Sequence, residues 1–265
     1  MAPDVRLDEH AYQGRQPPPT SRGRRQVPAA RTHCVMHIVT LSFDDGFRES
    51  NLKIAETYER FGLRACMNVL AAPGDLVMEQ YEWGMDRGDF PLWNELQARG
   101  HEMMPHGYNH ANKREIGFQA AKDSILRCLD IFGEKLDGFD PKRAVFNFPY
   151  NQSTPEIEAW LPSVVRAFRT SGGGMNPLPS PATVKLTTTG FGPDNCEQHL
   201  DREIEKLLAQ PEGWLVYNTH GLDEEGWGPI RASYLEQLLD RLVTKGVEVL
   251  PAGVALARGG EPQRR

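Results

Sequence analysis

The chain lacks an apolar run of the ~20 residues that a membrane-spanning helix needs, so no transmembrane partner surface is expected. It also lacks an apolar stretch behind its first residues, so no secretory signal is expected and a cytoplasmic location is the expectation that remains. Cysteine is scarce. Cys34, Cys66, Cys128 and Cys196 are the four present, and none is spaced Cys-x-x-Cys. That argues against a zinc knuckle or a dithiol redox motif and suggests reduced, mostly buried thiols. Positive charge is not in excess: 30 Lys and Arg against 36 Asp and Glu leave −6. A nucleic-acid partner, which wants a basic face, is therefore not expected. No Gly-x-Gly-x-x-Gly opens a helix, which disfavours a dinucleotide fold.

What is present is an ordinary globular composition, 39% hydrophobic and 25% charged, in 265 residues. The start differs from the rest. Pro17 to Pro19 and many arginines, among them Arg15, Arg22, Arg24, Arg25 and Arg31, stand among few apolar side chains. Such a segment cannot bury enough surface to offset its ordering entropy. The expected organisation is a disordered basic leader over 1–34, one α/β domain over 35–258 and a flexible tail over 259–265.

Within the domain, short apolar runs alternate with helical patterns. Strands are expected at Ile38–Phe43, Arg64–Leu70, His101–Met104, Ala144–Phe148, Val164–Arg169, Val184–Thr189, Trp214–Thr219 and Val247–Leu250. Helices are expected at Asn51–Phe61, Pro91–Arg99, Lys122–Phe132, Glu197–Leu208 and Tyr234–Thr244, and one more starts at Thr154-Pro155, a capping hydroxyl before a first-turn proline. This alternation predicts a parallel (β/α) barrel of about seven strands. In such barrels the chemistry sits at the carboxyl ends of the strands.

Four features fall there. Asp44-Asp45-Gly46 ends the first strand, and Gly46 permits a turn sharp enough to bring both carboxylates to one site; a solvated Asp-Gly turn explains the residues equally well. His106 and His110 follow the third strand at a spacing that puts two imidazoles on one face of a helical turn, as metal ligands or as two surface histidines. Gly107 stands where a zincin helix would need Glu, which excludes that class. Phe146 to Tyr150 ends another strand with Pro149, which stops a strand whether or not the Tyr150 N–H faces an oxyanion. His220 closes the run Leu215–His220 and is followed by Gly221, a place suited to proton exchange or to a merely packed histidine.

Taken together these segments resemble the polysaccharide deacetylase (NodB homology) family, carbohydrate esterase family 4. Thr40 to Gly46 is similar to its first motif, His106-Gly107-Tyr108-Asn109-His110 to its second, Asn147-Phe148-Pro149-Tyr150 to its third, and Leu215 to His220 to its last. The resemblance runs from about His37 to Leu250. It implies a distorted β/α barrel and one divalent metal on Asp45, His106 and His110, with zinc first in expectation and cobalt, nickel or iron as alternatives. It implies Asp44 as general base, His220 as general acid, and Pro149 and the Tyr150 backbone at the oxyanion. Trp227, in the loop after His220, is a candidate to stack on a sugar ring. The implied activity is removal of N-acetyl, or O-acetyl, groups from a sugar or oligosaccharide, with no nucleic-acid or membrane partner. A hydrolase of the same fold acting on a small non-sugar amide, and a catalytically weak carbohydrate-binding protein, are the alternatives.

The chain departs from the family pattern in three places. Asn147 stands where the third motif carries the Arg that pairs with the base, so Asp44 is expected to be less restrained, with a raised pKa. No residue matches the Asp/Trp segment that orients the catalytic His, and Thr187 to Asn195 occupies its place. Gly107 replaces the usual Ser or Thr.

Overall fold

The computed structural model describes residues 36–75 and 86–259. The expected leader with Cys34, and the tail from 260 onward, lie outside the described residues. Strands β1 (His37–Phe43), β2 (Cys66–Val69) and β3 (Glu102–Pro105) alternate with helices α1 (Arg48–Arg60), α2 (Phe90–Ala98) and α3 (Phe118–Lys135). Then follow β4 (Val145–Asn147), α4 (Pro155–Trp160), β5 (Ala167–Ser171), β6 (Met175–Asn176), β7 (Lys185–Thr188) and α5 (Cys196–Leu208). The domain ends with β8 (Gly213–Thr219), α6 (Ala232–Thr244), β9 (Glu248–Val249) and α7 (Ala252–Arg258). Local chemistry sets several of these limits. The Asp89 side chain caps α2 by accepting from Leu92 N–H, and Thr154 caps α4 by accepting from Ile157 N–H, each with Pro in the first turn. Every expected strand and helix is found within a few residues; the two-residue β6 and the terminal α7 were not foreseen.

Parallel pairing runs β3-β2-β1-β8 in one sheet and β4-β5-β7 in another. A single parallel bridge, Thr189 to Tyr217, links β7 to β8. These seven parallel strands form the distorted barrel. β9 adds to the lower half of β1, and β6 pairs antiparallel with β8. Between β3 and β4 the ladder is missing: Val145 N–H turns instead to the thioether of Met104 at 3.3 Å.

Period-2 alternation sorts the side chains. Val39, Leu41 and Phe43 of β1 face outward and pack with Ile54 and Tyr58 of α1 and Leu235 and Leu239 of α6 in the larger core cluster. Their neighbours point into the barrel. There Ile38, Cys66, Met104, Val145, Ala167 and Trp214 form a second cluster at the amino ends of the strands. Ala252, Ala255 and Leu256 of α7 belong to the same cluster, so α7 plugs that end. Two residues further along β2, β4 and β5, and four further along β1 and β8, this apolar layer gives way to a polar one: Ser42, Asn68, Asn147, Arg169 and Asn218, all buried. Buried polar groups are expensive unless hydrogen-bonded; Ser42, Asn68, Asn147 and Arg169 bond to one another, and Asn218 Oδ1 accepts from Thr188 Oγ1 and Asn151 Nδ2. Cys66, Cys128 and Cys196 are free and buried.

Candidate functional site

The polar layer supports a cluster at the carboxyl ends of β1, β3 and β8. Asp44 and Asp45 leave β1, and Asp45 adopts a left-handed backbone with φ of +75°. Gly46 follows with the same φ, and a Cβ there would meet the Trp93 ring at 3.0 Å. His110, Tyr150 and Asn151 also have positive φ, at +60°, +57° and +52°. Non-glycine residues held in this region cost ~1–3 kcal/mol each, and they gather at sites where geometry is over-determined. His106 and His110 converge through a loop, not along the helical turn that their spacing suggested. Gly107, at φ +94° and with Pro149 packed on it, bends that loop, which is why Ser or Thr is absent there.

His106 Nε2 lies 3.3 Å and His110 Nε2 3.2 Å from Asp45 Oδ1. All three residues are buried, and their ligand atoms lie within 4.8 Å of one another. His106 Nδ1 is 3.1 Å from the Asn147 carbonyl, which can only accept, so that nitrogen carries the proton. A neutral His106 with its proton on Nδ1 turns the Nε2 lone pair to the carboxylate, and Asp45 Oδ1 has no hydrogen-bond partner among the described residues. That arrangement is repulsive on its own and fits a cation; two imidazoles and one carboxylate are a divalent-metal donor set. Burial would raise the Asp45 carboxyl, but His110, His106 and His220 outweigh it and hold the carboxyl far below the usual range. Burial pushes His110 down to about 4, against the pull of Asp45, which keeps it neutral and able to ligate.

Asp44 is restrained, contrary to the expectation from Asn147. Arg169 of β5 meets it in a two-pronged pair, Nη1 to Oδ1 at 2.8 Å and Nη2 to Oδ2 at 2.6 Å. Asn147 and Arg169 are register partners on neighbouring strands, so the guanidinium arrives from the adjacent strand. Asn68 Nδ2 donates to Asp44 Oδ1 at 2.7 Å and to Ser42 Oγ at 2.5 Å, and Asn147 Nδ2 donates to Asn68 Oδ1 at 2.8 Å. Burial raises the Asp44 carboxyl; Arg169 first and His106 next more than reverse this, leaving it lowered. The expected rise in pKa is thereby corrected. Asp44 Oδ2 takes one donor where Oδ1 takes two, and it lies 4.0 Å from His106 Nε2.

His220 sits on the other flank, with Nε2 4.0 Å from Asp45 Oδ2. Among the described residues its buried Nδ1 has no hydrogen-bond partner, and so no carboxylate that orients it through that nitrogen. Packing does so: the Trp227 ring stands edge-on at 5.7 Å, and the backbone of Gly226 runs so close that a Cβ there would meet the His220 Cβ at 2.8 Å. Trp227 thus serves as a wall for His220. The exposed Tyr150 ring lies 4.6 Å from His110, over the rim of the cluster. Sequence reasoning missed Arg169, Asn68 and Ser42.

Behind the His106–His110 loop, Lys113 is 1% exposed and, among the described residues, donates only to the Ala111 carbonyl. Burial depresses its pKa to about 8 despite the nearby Cys128 thiol. A lysine whose folded pKa is depressed binds fewer protons folded than unfolded between about 8 and ~10.4, so stability should rise across that window. Below it the full penalty, roughly 3 kcal/mol, applies. Lys113→Met should therefore raise stability in urea at neutral pH and flatten the alkaline rise. A variant that is less stable at neutral pH would show that the ammonium is compensated.

Neither a protein-family model nor a curated protein sequence matches the chain. Solved structures do. The Xyl-CE4 domain of a multidomain xylanase from the hindgut metagenome of Trinervitermes trinervoides superposes with a TM-score of 0.58 at 13% identity, over 87% of this chain and 94% of that one. The Bc1960 peptidoglycan N-acetylglucosamine deacetylase, bound to a hydroxamate-type benzamide, gives 0.57 at 16%, over 86% and 91%. A family 4 acetyl xylan esterase from Clostridium thermocellum with a cobalt ion gives 0.57 at 15%, over 85% and 93%. At these identities the likeness establishes the fold: the chain has the distorted barrel of the family 4 carbohydrate esterases.

Proposed function

We propose that this protein is a metal-dependent deacetylase that hydrolyses the N-acetyl group of an amino sugar or short oligosaccharide. The observation that carries the reading is the convergence of Asp45 Oδ1, His106 Nε2 and His110 Nε2 within 4.8 Å of one another, flanked by Asp44 and His220. The deacetylases and acetyl esterases that share the fold support it. Asp45, His106 and His110 would hold one divalent ion, zinc first among zinc, cobalt, nickel and iron. When bound, the ion supplies Lewis acidity toward the acetyl carbonyl and acidifies water.

The remaining steps belong to side chains of this chain. Asp44 stays ionised at neutral pH because Arg169 favours its charge, and the less encumbered Oδ2 takes the proton of the attacking water. The Tyr150 N–H, at the turn after Pro149, is assigned to the oxyanion. His220 Nε2, on the opposite flank, gives its proton to the departing amine, which is otherwise a poor leaving group. Tyr150 and Trp227 would bound the sugar on two sides.

The test is acetate release from N-acetylglucosamine oligomers, acetylxylan and cyclic amides, with metal content measured on the same sample. Release from the N-acetyl oligomers with about one divalent ion per chain is expected. Turnover of the cyclic amides alone would move the reading to a small-amide hydrolase. Sugar binding with no acetate released from any substrate would move it to a carbohydrate-binding protein.

A further inference from the structure

The seam between β3 and β4 opens, at the amino ends of the strands, into a cavity of about 680 Å³. This is the barrel end opposite Asp44, Asp45 and His220. It lies where Val145 N–H turns to the Met104 thioether instead of a β3 carbonyl, with Leu256 and Ala257 of α7 along one side. Its inner wall is apolar, with Met104, Phe139, Ala144 and Leu256. Its rim is cationic: Lys142, Arg143, Arg166 and Arg258.

The charges on that rim are unevenly matched. Arg258 pairs with Glu248. Lys142 Nζ and the Arg166 guanidinium reach only backbone carbonyls, of Ser163 and of Thr183 and Pro181. The exposed Arg143 guanidinium has no hydrogen bond or ion pair among the described residues. Two acids also line the cavity. Glu102 accepts from Gly253 N–H, Val254 N–H and the Cys66 thiol, so its oxygens are occupied by the protein. Asp140 accepts from the Lys142 backbone N–H. Three cations without a carboxylate partner, gathered over an apolar recess on a chain of net charge −6, have the character of a site for an anion with an apolar body.

We propose that this cavity is a second ligand site, separate from the acetyl-hydrolysing end, which takes a small organic anion. A carboxylate or sulfonate head would lie against Arg143, Lys142 and Arg166, and an apolar body against Met104, Phe139 and Leu256. The proposal does not depend on the deacetylase reading, because none of its residues belongs to that site.

The probe is anilinonaphthalene sulfonate, an anion with an aromatic body, titrated by fluorescence against the full-length protein. One site is expected, weakened by rising salt. The neutral analogue N-phenylnaphthylamine should bind at least about tenfold more weakly. Arg143→Glu and Lys142→Glu lie on exposed side chains and should each raise Kd about tenfold with melting unchanged. Ala257→Trp, from the exposed face of α7 into the cavity mouth, should block binding by bulk. His106→Ala should leave binding intact. Absence of binding, binding indifferent to both charge reversals, or binding lost in His106→Ala would each overturn the proposal; the last would place the probe at the catalytic end.

Discussion

His106→Ala should lose metal and acetate release together, whereas Asp44→Asn should keep the metal while turnover falls ~10²-fold or more. The two residues are buried side by side, with His106 Nε2 4.0 Å from Asp44 Oδ2, so proximity does not separate their roles; bonding does. His106 commits its Nδ1 proton to the Asn147 carbonyl and turns its Nε2 to Asp45 Oδ1 at 3.3 Å, the position of a ligand. Asp44 has three donors from Arg169 and Asn68 and is already neutralised by the protein, so it gains little from a cation. An amide at 44 would preserve most of that network's shape while losing basicity. His220→Ala should also retain metal, and should damage amide hydrolysis more than hydrolysis of esters with good leaving groups, which need less protonation. Metal per chain and acetate release, measured on one preparation of each variant, decide the matter. Loss of metal in Asp44→Asn with retention in Asp45→Asn would exchange the two aspartates. Full activity in all the variants would remove the deacetylase reading altogether.

Much of this arrangement was legible before the fold was seen, because strand ends announce themselves. Asp44-Asp45-Gly46, His106, Tyr150 and His220 each follow a short apolar run, and a barrel brings the carboxyl ends of its strands together. The segments that were not legible fail for identifiable reasons. β6 is two residues long and carries no periodicity, and α7 is a seven-residue plug whose role is defined only by the strands it covers. The polar interior layer is the larger omission. Asn68 and Arg169 interrupt apolar strands, and a buried Arg flanked by Phe168 and Thr170 is costly without a partner. That cost was the available signal: the partner had to be an acid at a neighbouring strand end. Matching residues to a linear motif hid it, because the motif places the guanidinium at 147. Position 147 and position 169 lie side by side in the β4–β5 register, so a cation can move from one to the other without leaving the layer. In this chain the charge beside Asp44 is delivered by β5, one strand away from the position the motif names.

That reasoning predicts the behaviour of the pair. Arg169→Met should destabilise the fold by ~3–5 kcal/mol, since removing one partner strands a buried charge. The pH dependence should change sign with it. In the parent chain Asp44 is lowered, so its contribution to stability is present above the unfolded carboxyl pKa of ~3.9 and is lost as pH falls through the folded value. Without Arg169, burial becomes the dominant influence and raises the carboxyl; stability should then fall as pH rises above ~4, until the folded group ionises. The acidic limb of the pH–rate profile should shift upward in parallel. Asn147→Arg on its own should not lower that limb, because Asp44 is already paired; it sets a second guanidinium beside the first and should cost stability. The exchange variant Asn147→Arg/Arg169→Asn restores one cation for one carboxylate and should recover stability and rate relative to Arg169→Met. Urea denaturation and pH–rate profiles of the three variants test this. If Arg169→Met keeps both the parent's stability and its acidic limb, Arg169 does not set the charge state of Asp44. If the exchange variant recovers nothing, the guanidinium must come from β5, and register alone does not make the two positions equivalent.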